Sequence, residues 1–466
     1  MSRRSEPAPR QRRSPRGRST AHGAGHPPRI DARAAALDVL VRVEGGAFAD
    51  VLVGEKLSGT PFEPREAALF TRLVYGTESW RGRLDWTLAG LARQPLSELA
   101  PPVRAALRLG LFQLLLLDRV PAHAAVDTTV ALVKQSAGAG PASFANAVLR
   151  SFQRRGERPF PNFAQSPDAS LAVQWSHPEW LVRMWRDELG DERALAILAA
   201  DGEPAPTVLR IDPAVASRDA VLERLAGHGV SAHATTYAPH GVVLDTPLAR
   251  VAREPGLALQ GEASQQVVDV LDPRPGERVL DLCAAPGGKT GAIAERLATG
   301  SVVAADRSRA GMRRVAALAA ARAGRILPLV ADACAPALAA TFDAVLVDAP
   351  CSGLGTLRAH PEIRWRRTPE DLVRLAARQR EMLAGAAALV RPGGRLVYAT
   401  CTIAKLENES VIDDFLAAYP GWRTADARRF LPPAAAELVD GRGALRTAPD
   451  RGGLDGFYAI RLERPS

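Results

Sequence analysis

Val279-Leu-Asp-Leu-Cys-Ala-Ala-Pro-Gly-Gly-Lys-Thr290 is the stretch whose reading decides the fold. The apolar run Arg278–Leu282 reads as a buried strand. It breaks in a turn of small residues, Ala284-Ala285-Pro286-Gly287-Gly288, and a helix is expected from Lys289 through Ala298. Strand, glycine turn and helix present backbone N–H groups to a cofactor at the carboxyl edge of a doubly wound sheet. Glycine suits the turn because a Cβ there blocks close approach of the backbone. A lone Gly-Gly also fits an ordinary tight connection, so the rest of the chain must decide.

Downstream the chain alternates strand and helix from residue 261, the pattern of a parallel sheet covered on both faces. Strands are expected at Arg278–Leu282, Ser301–Asp306, Ile326–Asp332, Ala344–Asp348 and Arg395–Thr400, with a last one near Phe457–Leu462. Asp281, Asp306, Asp332 and Asp348 close four of them, where side chains face the ligand crevice. Asp306, followed by Arg307, is placed to take both ribose hydroxyls of an adenosine cofactor, and Asp332 to reach its adenine edge. The first turn lacks the G-x-G-x-x-G spacing of a dinucleotide site, so a cofactor without pyrophosphate fits better than NAD.

Two cysteines follow neighbouring strands. One lies in Asp348-Ala-Pro-Cys351-Ser-Gly-Leu-Gly355, the other in Thr400-Cys401-Thr402. Carbon 5 of cytosine is too poor a nucleophile to accept a methyl group directly. A thiolate adding to carbon 6 makes carbon 5 enamine-like. One cysteine can attack, a second can assist departure, and Asp348 can hydrogen-bond or protonate the ring nitrogen. A lone cysteine is ordinarily a small buried hydrophobe. Cys283 and Cys334 keep that reading, with Cys283 also opening the cofactor turn. No clustered histidine joins the thiols and no C-x-x-C occurs, so no metal and no disulfide framework is expected. His360, Arg364 and Trp365, just past Cys351, are candidates for stacking on RNA or pairing with its phosphates.

Upstream, residues 30–155 read as an all-α bundle. Helices are expected at Ile30–Gly45, Ala67–Trp80, Leu84–Arg93, Val103–Leu117, Ala122–Gln135 and Ser143–Arg154. Arg108–Asp118, apolar on all sides, should be central. Arg72, Arg81, Arg83 and Arg104 are the bundle's candidate RNA contacts, with a solvated face as the plain alternative. Residues 156–170 read as a linker and 171–260 as a small α+β module. Residues 1–29 hold eight arginines against one acid and too little apolar content to fold alone. They are either a basic arm for nucleic acid or a solvated tail. They also carry most of the net charge of +9, so the pI near 9.9 argues for a polyanion partner less strongly than it first suggests. No apolar run spans a membrane and no secretory segment is evident, so a cytoplasmic monomer is expected.

These residues resemble the Sun/RsmB branch of the RNA 5-methylcytosine methyltransferases. Asp281–Thr290 resembles the family's cofactor signature, and Asp348–Gly355 and Tyr398-Ala-Thr-Cys-Thr402 with Glu407-Asn-Glu409 resemble its two cysteine motifs. His360-Pro-Glu-Ile-Arg-Trp365 matches as well. The resemblance implies an α/β Rossmann-like class I methyltransferase domain over 261–466, with S-adenosylmethionine as methyl donor. Cys283–Lys289, Asp306, Arg307, Asp332 and Asp348 would bind it. Cys401 would be the nucleophile, and Cys351 would serve release. Gly110-Leu-Phe-Gln-Leu-Leu-Leu116, Pro121-Ala-His-Ala-Ala125 and Asn146-Ala-Val-Leu-Arg150 resemble a NusB-like RNA-binding bundle. The expected substrate is a cytosine of small-subunit (16S) ribosomal RNA. Another RNA such as tRNA, a non-catalytic ribosome assembly role, and DNA cytosine-5 methylation remain alternatives. Where the family usually has Thr-Cys-Ser, this chain has Thr402, which keeps a hydroxyl.

Overall fold

The computed structural model describes residues 31–245, 256–322 and 324–466; the basic arm expected at 1–29 lies outside them. Seven helices form the bundle: α1 (Ala32–Glu44), α2 (Ala49–Gly59), α3 (Pro64–Ser79), α4 (Arg81–Ala89), α5 (Pro101–Leu116), α6 (Ala122–Ala137) and α7 (Ala139–Arg155). Asp31 caps α1 by accepting the Arg33 N–H. Prolines occupy the first turns of α3 and α5, where no N–H is missed. α5 is the buried axis, as its all-round apolar sequence implies, and touches α1, α3, α4, α6 and α7. α2 was not foreseen. Its apolar face is short, with only Ala49, Leu52 and Val53 buried, and Gly54 interrupts it.

The expected linker stays irregular only to Pro167. Three helices follow, α8 (Pro167–Gln174), α9 (Glu179–Leu189) and α10 (Asp191–Ala200). The first begins inside the expected linker, and the other two fall within the expected small α+β module. Leu181, Val182, Trp185, Ile197 and Leu198 share a core with Leu354, Leu357, Ile363 and Ile403 from the cysteine-bearing loops. The sheet of the module is built from β1 (Thr207–Ile211), β2 (Ala232–Ala234), β3 (Gly241–Leu244) and β4 (Leu257–Leu259), with α11 (Arg218–Gly227) between β1 and β2. It is antiparallel throughout, in the order β2-β3-β1-β4.

After α12 (Glu262–Leu271) comes the large sheet. Its elements are β5 (Arg278–Asp281), α13 (Gly288–Arg296), β6 (Ser301–Asp306), α14 (Arg309–Ala320), β7 (Ile326–Val330), β8 (Phe342–Asp348), α15 (Pro369–Leu389), β9 (Val390–Thr400), α16 (Glu409–Ala418), β10 (Arg423–Ala425), β11 (Leu445–Arg446) and β12 (Tyr458–Glu463). The order is β10-β12-β9-β8-β5-β6-β7, with β11 beside β12. β5 to β9 run parallel, while β12 enters antiparallel beside β9. The sheet is therefore mixed rather than purely parallel, with a reversed strand toward one edge as is common in doubly wound folds. β7 stops at Val330, so Asp332 sits just beyond the strand rather than closing it. Two apolar layers cover the sheet, one from α12, α13 and α14, the other from α15 and α16.

Candidate active site at the carboxyl edge of the sheet

The first turn is fixed from the backbone outward. The Ala284 N–H donates to the Ala305 carbonyl at 3.1 Å, and the Ala285 N–H to Asp306 Oδ2 at 3.1 Å. The Ala285–Pro286 bond is cis, and Gly287 has φ +112°, a left-handed conformation that favours glycine. A Cβ on Gly288 would meet nothing within 4 Å, so the start of α13 is open to a ligand. Thr290 donates to Asp281 at 2.7 Å. Burial pushes the Asp281 carboxyl up to about 7 despite that bond.

Lys289 does not point away from the sheet. Its Nζ lies 2.7 Å from Asp348 Oδ2 and 5.0 Å from the centre of the Phe457 ring. Asp306 also accepts the Ser308 N–H at 2.7 Å. Asp332, exposed, accepts the Cys334 N–H at 3.0 Å, and that bond chiefly holds its carboxyl below the usual range. Arg307 is exposed beside it. The candidate cofactor residues thus sit on successive strand ends, as the alternation of strand and helix requires.

β8 and β9 are neighbours in register, with Asp348 opposite Ala399. The loops that follow bring Cys351 Sγ to 3.3 Å from Cys401 Sγ. The Cys351 thiol is pushed well up by its bond to Cys401, by burial, and by the Glu407 charge. Cys283, one residue into the first turn, is pushed up by burial and by Asp281, which suits an unreactive thiol. The Gly355 N–H donates to the Cys401 carbonyl at 3.0 Å. Gly355 itself lies so close to Gly456 that a Cβ would fall 1.9 Å from its carbonyl oxygen. Both glycines are needed for this crossing of backbones. Sequence reasoning missed Gly456 and Phe457; the signal was the turn Asp455-Gly456-Phe457 entering the last strand.

His360, Arg364 and Trp365 do not form an open RNA face. Arg364 is 0% exposed. Its guanidinium donates to the carbonyls of Ser79 (3.2 Å), Ser176 (3.1 Å), Asp201 (3.4 Å) and Leu357 (3.3 Å). The expectation that Arg364 meets RNA is therefore corrected: the side chain ties the bundle and α8–α10 to the loop after Cys351. Trp365 stacks under Arg81 and rests on Gly82 of the bundle, with its Nε1–H on the Glu78 carbonyl at 3.4 Å. His360 is partly exposed and lies 3.7 Å from Asp50. Asp50, His360 and Glu362 bring ligand-type atoms within 4.8 Å of one another, at the bundle rather than at the thiols. The bundle arginines are largely engaged as well. Arg83 pairs with Glu157 and Arg104 with Glu44, both at 2.7 Å, Arg81 lies 3.9 Å from Glu78, and Arg72 lies over Phe112. Among the described residues no helix is long and apolar enough to cross a membrane.

Comparison with known proteins follows the same division of the chain. Residues 30–154 match the NusB family, 177–251 the ferredoxin-like domain of RsmF/B-like methyltransferases, and 268–463 the 16S rRNA methyltransferase RsmB/F. The "Probable ribosomal RNA small subunit methyltransferase B" of Bacillus subtilis is 34% identical over 441 residues, covering 92% of this chain and 98% of its own. The "Ribosomal RNA small subunit methyltransferase B" of Pseudomonas syringae is 36% identical over 412 residues, 86% of this chain and 90% of its own. Among solved structures, that of PH0851 superposes with a TM-score of 0.81 at 26% identity, covering 93% of this chain and 99% of that one.

Proposed function

The chain belongs to the RsmB/F family of 16S rRNA methyltransferases, and from that premise we propose that it methylates carbon 5 of a cytosine in small-subunit ribosomal RNA, with S-adenosylmethionine as donor. The observation that carries the reading is the pair of thiols 3.3 Å apart on adjacent strand ends, beside the glycine turn. The residues present fit the cofactor. The turn Cys283–Gly288 and Lys289 offer an open helix start, and Asp306, Arg307, Asp332 and Asp348 line the neighbouring strand ends. When bound, the cofactor supplies an electrophilic methyl group.

The chain's own residues do the rest. Cys401, as thiolate, adds to carbon 6 of the cytosine, forming a sulfur–carbon bond and pushing electron density onto carbon 5. Asp348 and Lys289, paired at 2.7 Å, meet the polar edge of the base, where a proton passed from the Asp348 carboxyl to the ring nitrogen neutralises the negative charge that develops there. Carbon 5 takes the methyl group and then loses its proton. Cys351 or a water takes that proton, the electron pair of the carbon 5–hydrogen bond restores the ring double bond, and the carbon 6–sulfur bond breaks with its own pair leaving on the Cys401 thiolate. Cys351, beside Cys401, assists that departure. The base must leave its stack to meet both thiols, so a loop or locally opened RNA is expected.

Small-subunit rRNA from cells lacking the protein, incubated with the enzyme and labelled S-adenosylmethionine, tests the reading. Label on a single cytosine that then resists bisulfite conversion is the expected result. Label on tRNA or DNA instead overturns the substrate, and no label on any of them overturns the enzyme.

A further inference from the structure

Glu407 and Asn408 lie next to each other in the short helix and cap after β9, and they are 0% and 1% exposed. Neither was given a role by sequence reasoning beyond membership of a motif. Each turns to a different cysteine loop. Glu407 Oε1 accepts the Ser352 N–H at 2.9 Å, directly after Cys351. It also accepts Gln379 Nε2 at 3.0 Å, and the same Nε2 lies 3.1 Å from the Pro350 carbonyl, directly before Cys351. Asn408 does the same for the other thiol. Its Oδ1 accepts the Thr400 hydroxyl at 2.6 Å and its Nδ2 donates to the Thr402 carbonyl at 2.9 Å. Asn408 thus engages the residues on both sides of Cys401, and Glu407 those on both sides of Cys351, Ser352 directly and Pro350 through Gln379. The Ser352 hydroxyl then donates to Thr402 Oγ1 at 2.9 Å, closing the frame between the loops.

We propose that Glu407 and Asn408 are positioning residues that divide the reaction between the thiols, Asn408 setting Cys401 for attack and Glu407 setting Cys351 for release. The inference rests on the reaction proposed above and adds which residues hold each thiol in its role. Buried polar groups are expensive unless paired, so two adjacent, fully enclosed polar side chains spent on the two loops point to geometry rather than to the core. Glu407 adds a charge. Burial pushes the Glu407 carboxyl above its usual range, and when ionised its charge raises the neighbouring Cys351 thiol.

The full-length enzyme on small-subunit rRNA with S-adenosylmethionine gives the test, read as covalent adduct and methylated product in a single turnover. Glu407→Ala should accumulate adduct about ten-fold over wild type with its formation little changed; Asn408→Ala should slow adduct formation about ten-fold and accumulate none. Glu407→Gln keeps an oxygen for the Ser352 N–H and should partition like wild type. Because Glu407→Gln also removes the charge, alkylation of Cys351 by iodoacetamide, followed by mass spectrometry without RNA, should move to lower pH. A merely structural role leaves that profile unmoved and slows both steps together in proportion to lost melting temperature. Equal slowing of both steps in both alanine variants, with an unmoved alkylation profile for Glu407→Gln, overturns the inference. If Cys351→Ala traps no adduct while wild type methylates, the two-thiol reaction itself fails, and the inference with it. The alkylation profile distinguishes the two failures, since it needs no RNA.

Discussion

Two stretches of this chain succeed one another at the end of strand β8, and they do opposite work. Asp348–Gly355 turns its polar and sulfur atoms toward the glycine turn and the second thiol. The next stretch, Arg358–Arg367, is far richer in charge and carries Trp365, but it turns most of these side chains away, into the helical bundle and α8–α10. Arg364 is spent on four backbone carbonyls, Arg366 on those of Val43, Gly46 and Ala47, and Glu362 on the Ala49 N–H. Arg367 closes the loop back with its Nε on the Ser352 carbonyl at 2.8 Å. Charged residues near a catalytic turn are thus of two kinds. Those at strand ends face the proposed cofactor site, and those one turn further on fasten a neighbouring domain to the loop that carries Cys351.

The largest separation between the stretches comes from removing one residue of each. Cys401→Ala should cut turnover by about a thousand-fold or more while leaving the urea midpoint near wild type, because a half-buried thiol carries little packing energy. Arg364→Ala should do the reverse first. It strips donors from four enclosed carbonyls and should cost about 3–5 kcal/mol in urea titration, with activity falling only as the folded fraction falls. An Arg364→Ala protein of normal stability that fails to bind rRNA would place that side chain back among the RNA contacts.

The clamp also predicts a pH response. His177 is buried against Trp185 and lies 3.4 Å from Asp201, and burial, then the Arg364 charge, holds its imidazole down at about 4. At His177 the folded chain therefore holds less proton than the unfolded one between about pH 6.5 and 4. Stability from the neutral ring is present above pH 6.5 and drains as the pH falls toward 4, by an amount on the order of a few kcal/mol. Glu78 and Asp281, both pushed up to about 7, work in the opposite sense. The informative quantity is therefore the difference in unfolding free energy between wild type and His177→Gln, which should narrow as the pH drops through that window. A difference that stays constant from pH 7 to pH 4 would contradict the buried neutral ring.

The smallest effect belongs to Thr402. Thr402→Ser keeps the acceptor for the Ser352 hydroxyl and should hold activity within about two-fold. Thr402→Val leaves that hydroxyl without its partner and should cost about 1–2 kcal/mol in urea titration. Equal behaviour of the two variants would remove the Ser352–Thr402 bond from the account of how the loops are joined.

Much of this architecture is readable in the chain because its signals are periodic. Apolar runs alternating with helices mark β5 to β9, and acids and cysteines at their ends need no knowledge of packing to be noticed. The bundle is readable for the same reason, except α2, whose stripe of Ala49, Leu52 and Val53 is too short to register. The use of buried polar residues was not readable. Nothing local distinguishes Arg364, enclosed by carbonyls 285 residues before it in sequence and 7 residues before it, from an arginine that greets a phosphate. Glu407 and Asn408 likewise gain their meaning only when β8 and β9 lie side by side. That α8–α10 also pack on the cysteine-bearing loops was not readable either, because their core partners, Leu354, Leu357 and Ile403, lie far along the chain.

The central claim is that Cys401 attacks the base and Cys351 frees it. Cys351→Ala, mixed with small-subunit rRNA and S-adenosylmethionine and run on a denaturing gel, tests it most directly. The account predicts a protein–RNA adduct that survives denaturation, with the RNA fragment attached to the peptide carrying Cys401. Normal turnover with no adduct, or an adduct that persists when Cys401 is also replaced by alanine, would contradict it.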